Sequence, residues 1–156
     1  MPVFKALHLT HHRSITPTPF AAYAFSTGEA AVEAGFVLVW LLFVPVPVAA
    51  GAAFMAIMIV RNAWGHVGIE IHPRWWADHP VTGLFTTTVH HDLHHSGGLK
   101  YNFGLYFTWW DRMMGTEHPR YRAIYREVTG RPLHHRRVGD LAMAHPADAG
   151  RPSPTR

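Results

Sequence analysis

The sequence contains no cysteine, which removes disulfide frameworks, cysteine-ligated zinc, iron–sulfur clusters and thiol nucleophiles on inventory alone. It is also poor in charge. Charged residues make up 15% of the chain against 48% hydrophobic and 13% aromatic, where an average soluble domain carries about 25% charge. That is not the surface of an ordinary water-soluble protein. Up to Thr116, six Lys/Arg stand against six Asp/Glu, and the basic excess of eight against four begins at Glu117. The formal charge of +4 therefore does not describe a binding face, and no nucleic-acid partner is expected. No HExxH, GxSxG or phosphate-cradling glycine loop is present, so hydrolase and nucleotide-dependent chemistries lack specific residues to carry them. The length of 156 residues suits one domain or a fragment of one.

What is present first is grease. Ala34 to Val60 is a run of 27 residues whose only hydrogen-bonding side chain is Trp40, past the length of about 18 that marks a membrane candidate. It begins too far into the chain for a signal peptide and has no small-residue cleavage pattern. Pro45 and Pro47 remove backbone donors and split the run into apolar pieces of 11 and 13 residues, each short for a span. Two geometries remain: one kinked crossing, or a hairpin that turns at Pro45-Val46-Pro47 and returns. Lys5 and Arg13 precede the run and Arg61 and Arg74 follow it, so neither side is marked as non-cytoplasmic. A hairpin with both ends cytoplasmic fits better. Tyr101 to Trp110 is strongly aromatic, as suits the headgroup level or a soluble core. Residues 120–156 are expected to form a basic tail, partly disordered.

What is present second is histidine, 14 residues in all. His8-Leu9-Thr10-His11-His12 and His91-Asp92-Leu93-His94-His95 both read HxxHH. On a helix, positions i, i+3 and i+4 share a face, so each cluster can aim three imidazoles at one point. Two such faces point to a dinuclear metal site, since six histidines exceed the four ligands of a closed structural zinc. Imidazole suits zinc, copper, iron and nickel alike, so ligand type does not choose the metal. A single crossing would separate the clusters by about 30 Å of hydrocarbon, so a shared site requires the hairpin. His66, at the exit of the apolar run and one helical turn beyond Asn62, is a candidate seventh ligand. Asp92 is placed to orient a ligand imidazole. Glu29, Glu70 and Asp111 read equally as orienting groups or as structural residues. His72, His79, His90 and His118 have no partner at ligand spacing, and His134, His135 and His145 fall in the tail.

These residues resemble the fatty acid hydroxylase superfamily, the membrane diiron enzymes that include sterol desaturases. Four segments carry the resemblance in order: Lys5 to Pro19 with its HxxHH; Asn62-Ala63-Trp64-Gly65-His66-Val67-Gly68-Ile69-Glu70; Thr88 to Ser96 with the second HxxHH; and Tyr101-Asn102-Phe103-Gly104 through Trp109-Trp110-Asp111-Arg112-Met113-Met114-Gly115-Thr116. It covers about residues 4 to 119, which gives a domain at 1–119. It implies an all-α integral membrane helix bundle, with a transmembrane or re-entrant hairpin under a cytosolic histidine-rich helical cap. It further implies two irons, with zinc possible in an inactive form, held by His8, His11, His12, His66, His91, His94 and His95, with no catalytic residue beyond these ligands. O2 would be co-substrate, a cytochrome b5-like or ferredoxin-like protein the electron donor, and a fatty acyl or sterol lipid the substrate. The segment from Trp110 to Thr116 would close the fold near the site.

Family members carry an earlier HxxxH box that precedes the first HxxHH, and this sequence shows none before His8. The expectation is a start placed downstream, a partial sequence, or a short relative that binds metal without oxidase activity. The alternative function is accordingly a non-catalytic membrane metal-binding protein or an inactive fragment of such an enzyme.

Overall fold

The prolines divide the apolar run as their missing donors require. In the computed structural model, which describes His11 and residues 18–96 and 100–138, α1 (Thr27–Phe43) ends before Pro45 and α2 (Val48–Gly65) begins directly after Pro47. Both helices outrun the apolar pieces, because each recruits polar residues at one end. α1 starts at an N-cap in which the Ser26 hydroxyl accepts from the backbone N–H of Glu29 at 3.1 Å. α2 continues through Arg61 and Asn62 to Gly65. Arg61 donates to both the carbonyl and the hydroxyl of Thr86, tying the end of α2 to the chain ahead of the next helix. Among the described residues one helix, α2, is long and apolar enough to cross a membrane, with a mean hydropathy of 1.4 over 18 residues. Apolar side chains along α1 and α2, among them Phe36, Leu42, Phe43, Val48 and Ile57, are exposed.

The remaining elements form a cap. Short 3-10 turns at Trp76–Asp78 and Thr82–Leu84 lead from α2 into α3 (Thr88–Ser96), which is followed by α4 (Thr108–Met114) and α5 (Tyr121–Thr129). No strand occurs among the described residues, and the two isolated antiparallel bridges, Ile69 with Arg137 and Phe85 with Phe107, only pin chain to chain. The all-α expectation holds to that extent.

α3 is the element that organises the cap. Val89 and Leu93, four residues apart, form one stripe, and His91 and His95 another about 200° round the helix. The apolar stripe enters a core with Ala77, Tyr121, Ile124, Tyr125, Val128 and Val138, leaving the histidine stripe facing away from it. Two capping contacts fix the helix start. The Thr87 hydroxyl accepts from the N–H of His90 at 3.2 Å, and the fully buried Glu70 carboxylate accepts from the N–H of Val89 at 3.0 Å, a negative charge where the helix dipole favours one.

Residues 121–138, read from sequence as part of a basic tail, instead supply five of the eight residues of this core. Tyr121, Ile124, Tyr125 and Val128 fall at i, i+3, i+4 and i+7, the period of a packed helix face. The arginines occupy the opposite face, where Arg122 and Arg126 both reach Asp78. The rest of that tail, from residue 139, lies outside the described residues.

Candidate metal centre

Four histidines from three parts of the chain meet where the end of α2 crosses the polar face of α3. His11, His66, His91 and His95 are all buried, and one ring nitrogen of each lies within 4.8 Å of those of the others. The Nε2 atoms of His66 and His91 are 3.1 Å apart, those of His66 and His11 3.3 Å, and those of His91 and His95 3.3 Å. Metal–imidazole bonds of about 2.0–2.1 Å place neighbouring ligand nitrogens about 3.0–3.4 Å apart in octahedral or tetrahedral arrangements. The spacing therefore fits an ion among these atoms.

Tautomer and charge agree with that fit. The Nδ1–H of His66 donates to the main-chain carbonyl of Asn62, 2.8 Å away, which leaves the lone pair on Nε2, aimed at the cluster. Burial lowers the pKa of His66, with the Asn62 bond opposing and His94 adding to the fall. The pKa of His91 lies well below the ordinary value, through burial first and then its neighbours His66, His95, His94 and His11. Neutral imidazole, the form that binds metal, is thus favoured at the centre of the cluster.

Backbone packing brings the rings this close. Gly65 is buried at the end of α2 against His91, whose Cδ2 would lie 3.3 Å from a β-carbon there. The Asn62 amide donates to the carbonyl of Ala22 at 3.0 Å, and the His11 ring stacks on Phe25 at 5.7 Å, so the chain ahead of α1 closes the third side.

Of the seven residues expected as ligands, His11, His66, His91 and His95 are brought together. His8 and His12 lie outside the described residues. His94 stands apart from the four, its ring centre 6.0 Å from His91 and 5.8 Å from His95. It shares the stripe of His90, four residues back, rather than that of His91, so it faces the 101–104 loop. There Nδ1 donates to the Tyr101 carbonyl at 2.9 Å.

The carboxylates divide differently from expectation. Neither oxygen of the buried Asp92 has a hydrogen-bond partner among the described residues, and burial pushes its pKa up to about 7; it orients none of the four rings. Main-chain carbonyls of Asn62 and Tyr101 do the orienting, and no residue-type signal marks a carbonyl in a sequence. Glu70 serves α3 and accepts from His72, whose Nδ1 is 2.6 Å from Oε1. Asp111 holds the 101–104 loop, accepting from the N–H of Phe103 at 2.7 Å and of Gly104 at 2.9 Å. His90 is fully buried with Nε2 3.4 Å from Asp111 Oδ2, close but not aligned as a hydrogen bond.

Comparison with known proteins gives a consistent picture. The family described as Fatty acid hydroxylase matches residues 1–116. The chain is 31% identical over 128 residues to a Delta(7)-sterol 5(6)-desaturase of Aspergillus fumigatus, covering 81% of this chain and 34% of that protein. A Delta(7)-sterol 5(6)-desaturase of Gibberella zeae is 33% identical over 115 residues, covering 73% of this chain and 30% of its own. Human lathosterol oxidase is 30% identical over 115 residues, covering 73% and 36%. The chain thus spans about a third of the length of these relatives. No solved structure matches it.

Proposed function

The chain belongs to the fatty acid hydroxylase family, and on that premise we propose that it acts as a membrane-bound oxidoreductase, hydroxylating or desaturating a lipid with O2 at a histidine-ligated diiron centre. The observation that carries the proposal is the set of four buried imidazoles with Nε2 atoms 3.1–3.3 Å apart in sequence along the cluster. His11, His66, His91 and His95 would hold metal, with His94 and, from the first HxxHH, His8 and His12 completing a second position. Bound there, iron supplies the oxygen chemistry at an unactivated C–H bond that no side chain can perform.

The chain's own residues have narrower tasks. Asn62 and Tyr101 orient imidazoles through their carbonyls, Gly65 lets α2 approach α3, and the core beneath Val89 and Leu93 keeps the histidine stripe rigid and dry. The exposed apolar lengths of α1 and α2 support placement in a membrane, and a hairpin there with both ends on the cytoplasmic side would keep the two HxxHH segments on one face. The substrate class is a fatty acyl chain or sterol, in keeping with the relatives' names. Electrons would come from a separate cytochrome b5-like or ferredoxin-like donor.

A second reading has its own support. Among the described residues one four-histidine group is assembled, the number a single four-coordinate ion requires, as in a non-catalytic metal-binding protein. Expressing the chain in membranes with iron supplied, and comparing total fatty acyl and sterol lipids with those from the His91→Ala variant, separates the two. A hydroxylated or desaturated lipid absent from the variant supports the oxidoreductase. Metal retained with no new lipid supports the second reading.

A further inference from the structure

His94 has a neighbourhood unlike that of the other histidines, and its hydrogen bond to the 101–104 loop traces to one residue. Its Nδ1–H bond to Tyr101 depends on where the 101–104 loop lies, and that loop is held by Asp111 across α4. Asp111 Oδ1 accepts from the N–H of Phe103 and from the Thr116 hydroxyl, both at 2.7 Å, while Oδ2 accepts from the N–H of Gly104 at 2.9 Å. Gly104 is required for that approach: a β-carbon there would lie 2.4 Å from the Phe107 carbonyl oxygen and 2.8 Å from Oδ2.

Asn102, buried with φ of 55°, fixes the middle of the loop. Its amide donates to the His90 carbonyl at 2.9 Å, and its side-chain oxygen accepts from the N–H of His118 at 2.7 Å. The Phe103 ring then closes edge-on against His94 at 5.5 Å. Burial alone would raise the Asp111 carboxyl, but contacts from His90, Thr116 and Gly104 outweigh it and hold the group at about 2. The carboxylate is therefore ionised, with three donors directed at it.

We propose that Asp111 is a positioning residue for metal binding: by fixing the 101–104 loop it keeps the Tyr101 carbonyl on Nδ1–H of His94, and so commits Nε2 of His94 to a metal. This rests on the metal centre proposed above. Asp111 acts through the loop and through Tyr101, so its removal changes His94 and leaves the tautomer of His66, set by Asn62, as it was.

The test uses the full chain in detergent, with nitrogen-15 NMR of the histidine rings in the metal-free state and chelator competition for iron. In the wild type, His94 is expected as the Nδ1–H tautomer. In Asp111→Asn, whose amide nitrogen meets a backbone N–H of Phe103 or Gly104 where an oxygen stood, the Nε2–H tautomer of His94 should appear while His66 is unchanged. Iron affinity should fall about 10–100-fold, the usual cost of disturbing a residue that orients a metal ligand. Thr116→Val, which removes one donor from Oδ1, should give a smaller change of the same kind and serves if Asp111→Asn does not fold. Tyr125→Phe, a core change remote from the loop, should leave the His94 tautomer unaltered. A wild-type tautomer and iron affinity in folded Asp111→Asn and Thr116→Val overturns the proposal. Absence of iron binding in the wild type would instead count against the metal centre, and the metal-free tautomer would still decide the role of Asp111.

Discussion

Gly65→Ala should separate folding from metal binding. A β-carbon at Gly65 would lie 3.3 Å from Cδ2 of His91, a few tenths of an ångström tighter than ordinary packing, with Cγ at 3.5 Å and Cβ at 3.7 Å in ordinary contact. His91 has little room to retreat, since its ring centre is 4.3 Å from that of His66 and 4.9 Å from that of His95. Replacing glycine by alanine in a helix stabilises by about 1 kcal/mol, and overpacking costs about 1–3 kcal/mol. The net loss of stability should thus be about 0–2 kcal/mol. Metal ligands must be held within about 0.5 Å of productive geometry, so a ring pushed by a few tenths of an ångström loses much of its tolerance. Iron affinity should fall about tenfold or more, with thermal unfolding followed by circular dichroism changing little. A folded Gly65→Ala protein with wild-type iron affinity would refute the reasoning that this close approach sets the position of His91.

Other outcomes follow from the same structure. Tyr125→Phe removes the hydroxyl that donates to the Pro73 carbonyl at 2.7 Å; it should cost about 1–3 kcal/mol in denaturant unfolding with iron affinity unchanged, and an altered affinity would tie the α5 core to the site. The Asp111 carboxyl, held at about 2 in the folded chain, has a folded value below the ordinary one. Its contribution of roughly 2 kcal/mol is present above about pH 4 and lost as pH falls toward 2. Acid unfolding of Asp111→Asn should therefore show a flatter stability slope over that range, and parallel slopes would contradict the assignment. Tags placed before His8 and after Gly115 should label from the same side of the membrane; opposite-side labelling would exclude a hairpin and a shared site.

Much of this was legible in the residues. Proline chemistry divided the apolar run where α1 ends and α2 begins, and helical spacing placed His91 and His95 on one face. Helical spacing says less about His94. Positions i+3 and i+4 are neighbours, but 100° of rotation separates consecutive residues, so His94 turns toward the loop at Tyr101 and outside the group of His11, His66, His91 and His95. The apolar period of Tyr121, Ile124, Tyr125 and Val128 is present in the sequence beside a stronger signal from the arginines around it, which occupy only the outer face of α5. Asp92 lies within the motif and orients none of the four rings, whereas Asn62 and Tyr101 act through backbone carbonyls that every residue possesses. Roles of that kind follow from where the chain is held, and three-dimensional contacts such as Asp111 with the 103–104 amides decide it.

The central claim is that His11, His66, His91 and His95 hold metal. Elemental analysis of the detergent-purified chain, prepared with iron under reducing conditions beside a folded variant carrying His91→Ala and His95→Ala, tests it most directly. About two irons per chain are expected in the wild type, and their loss in the variant. Equal metal content in the two proteins, or none in a folded wild type, would contradict it.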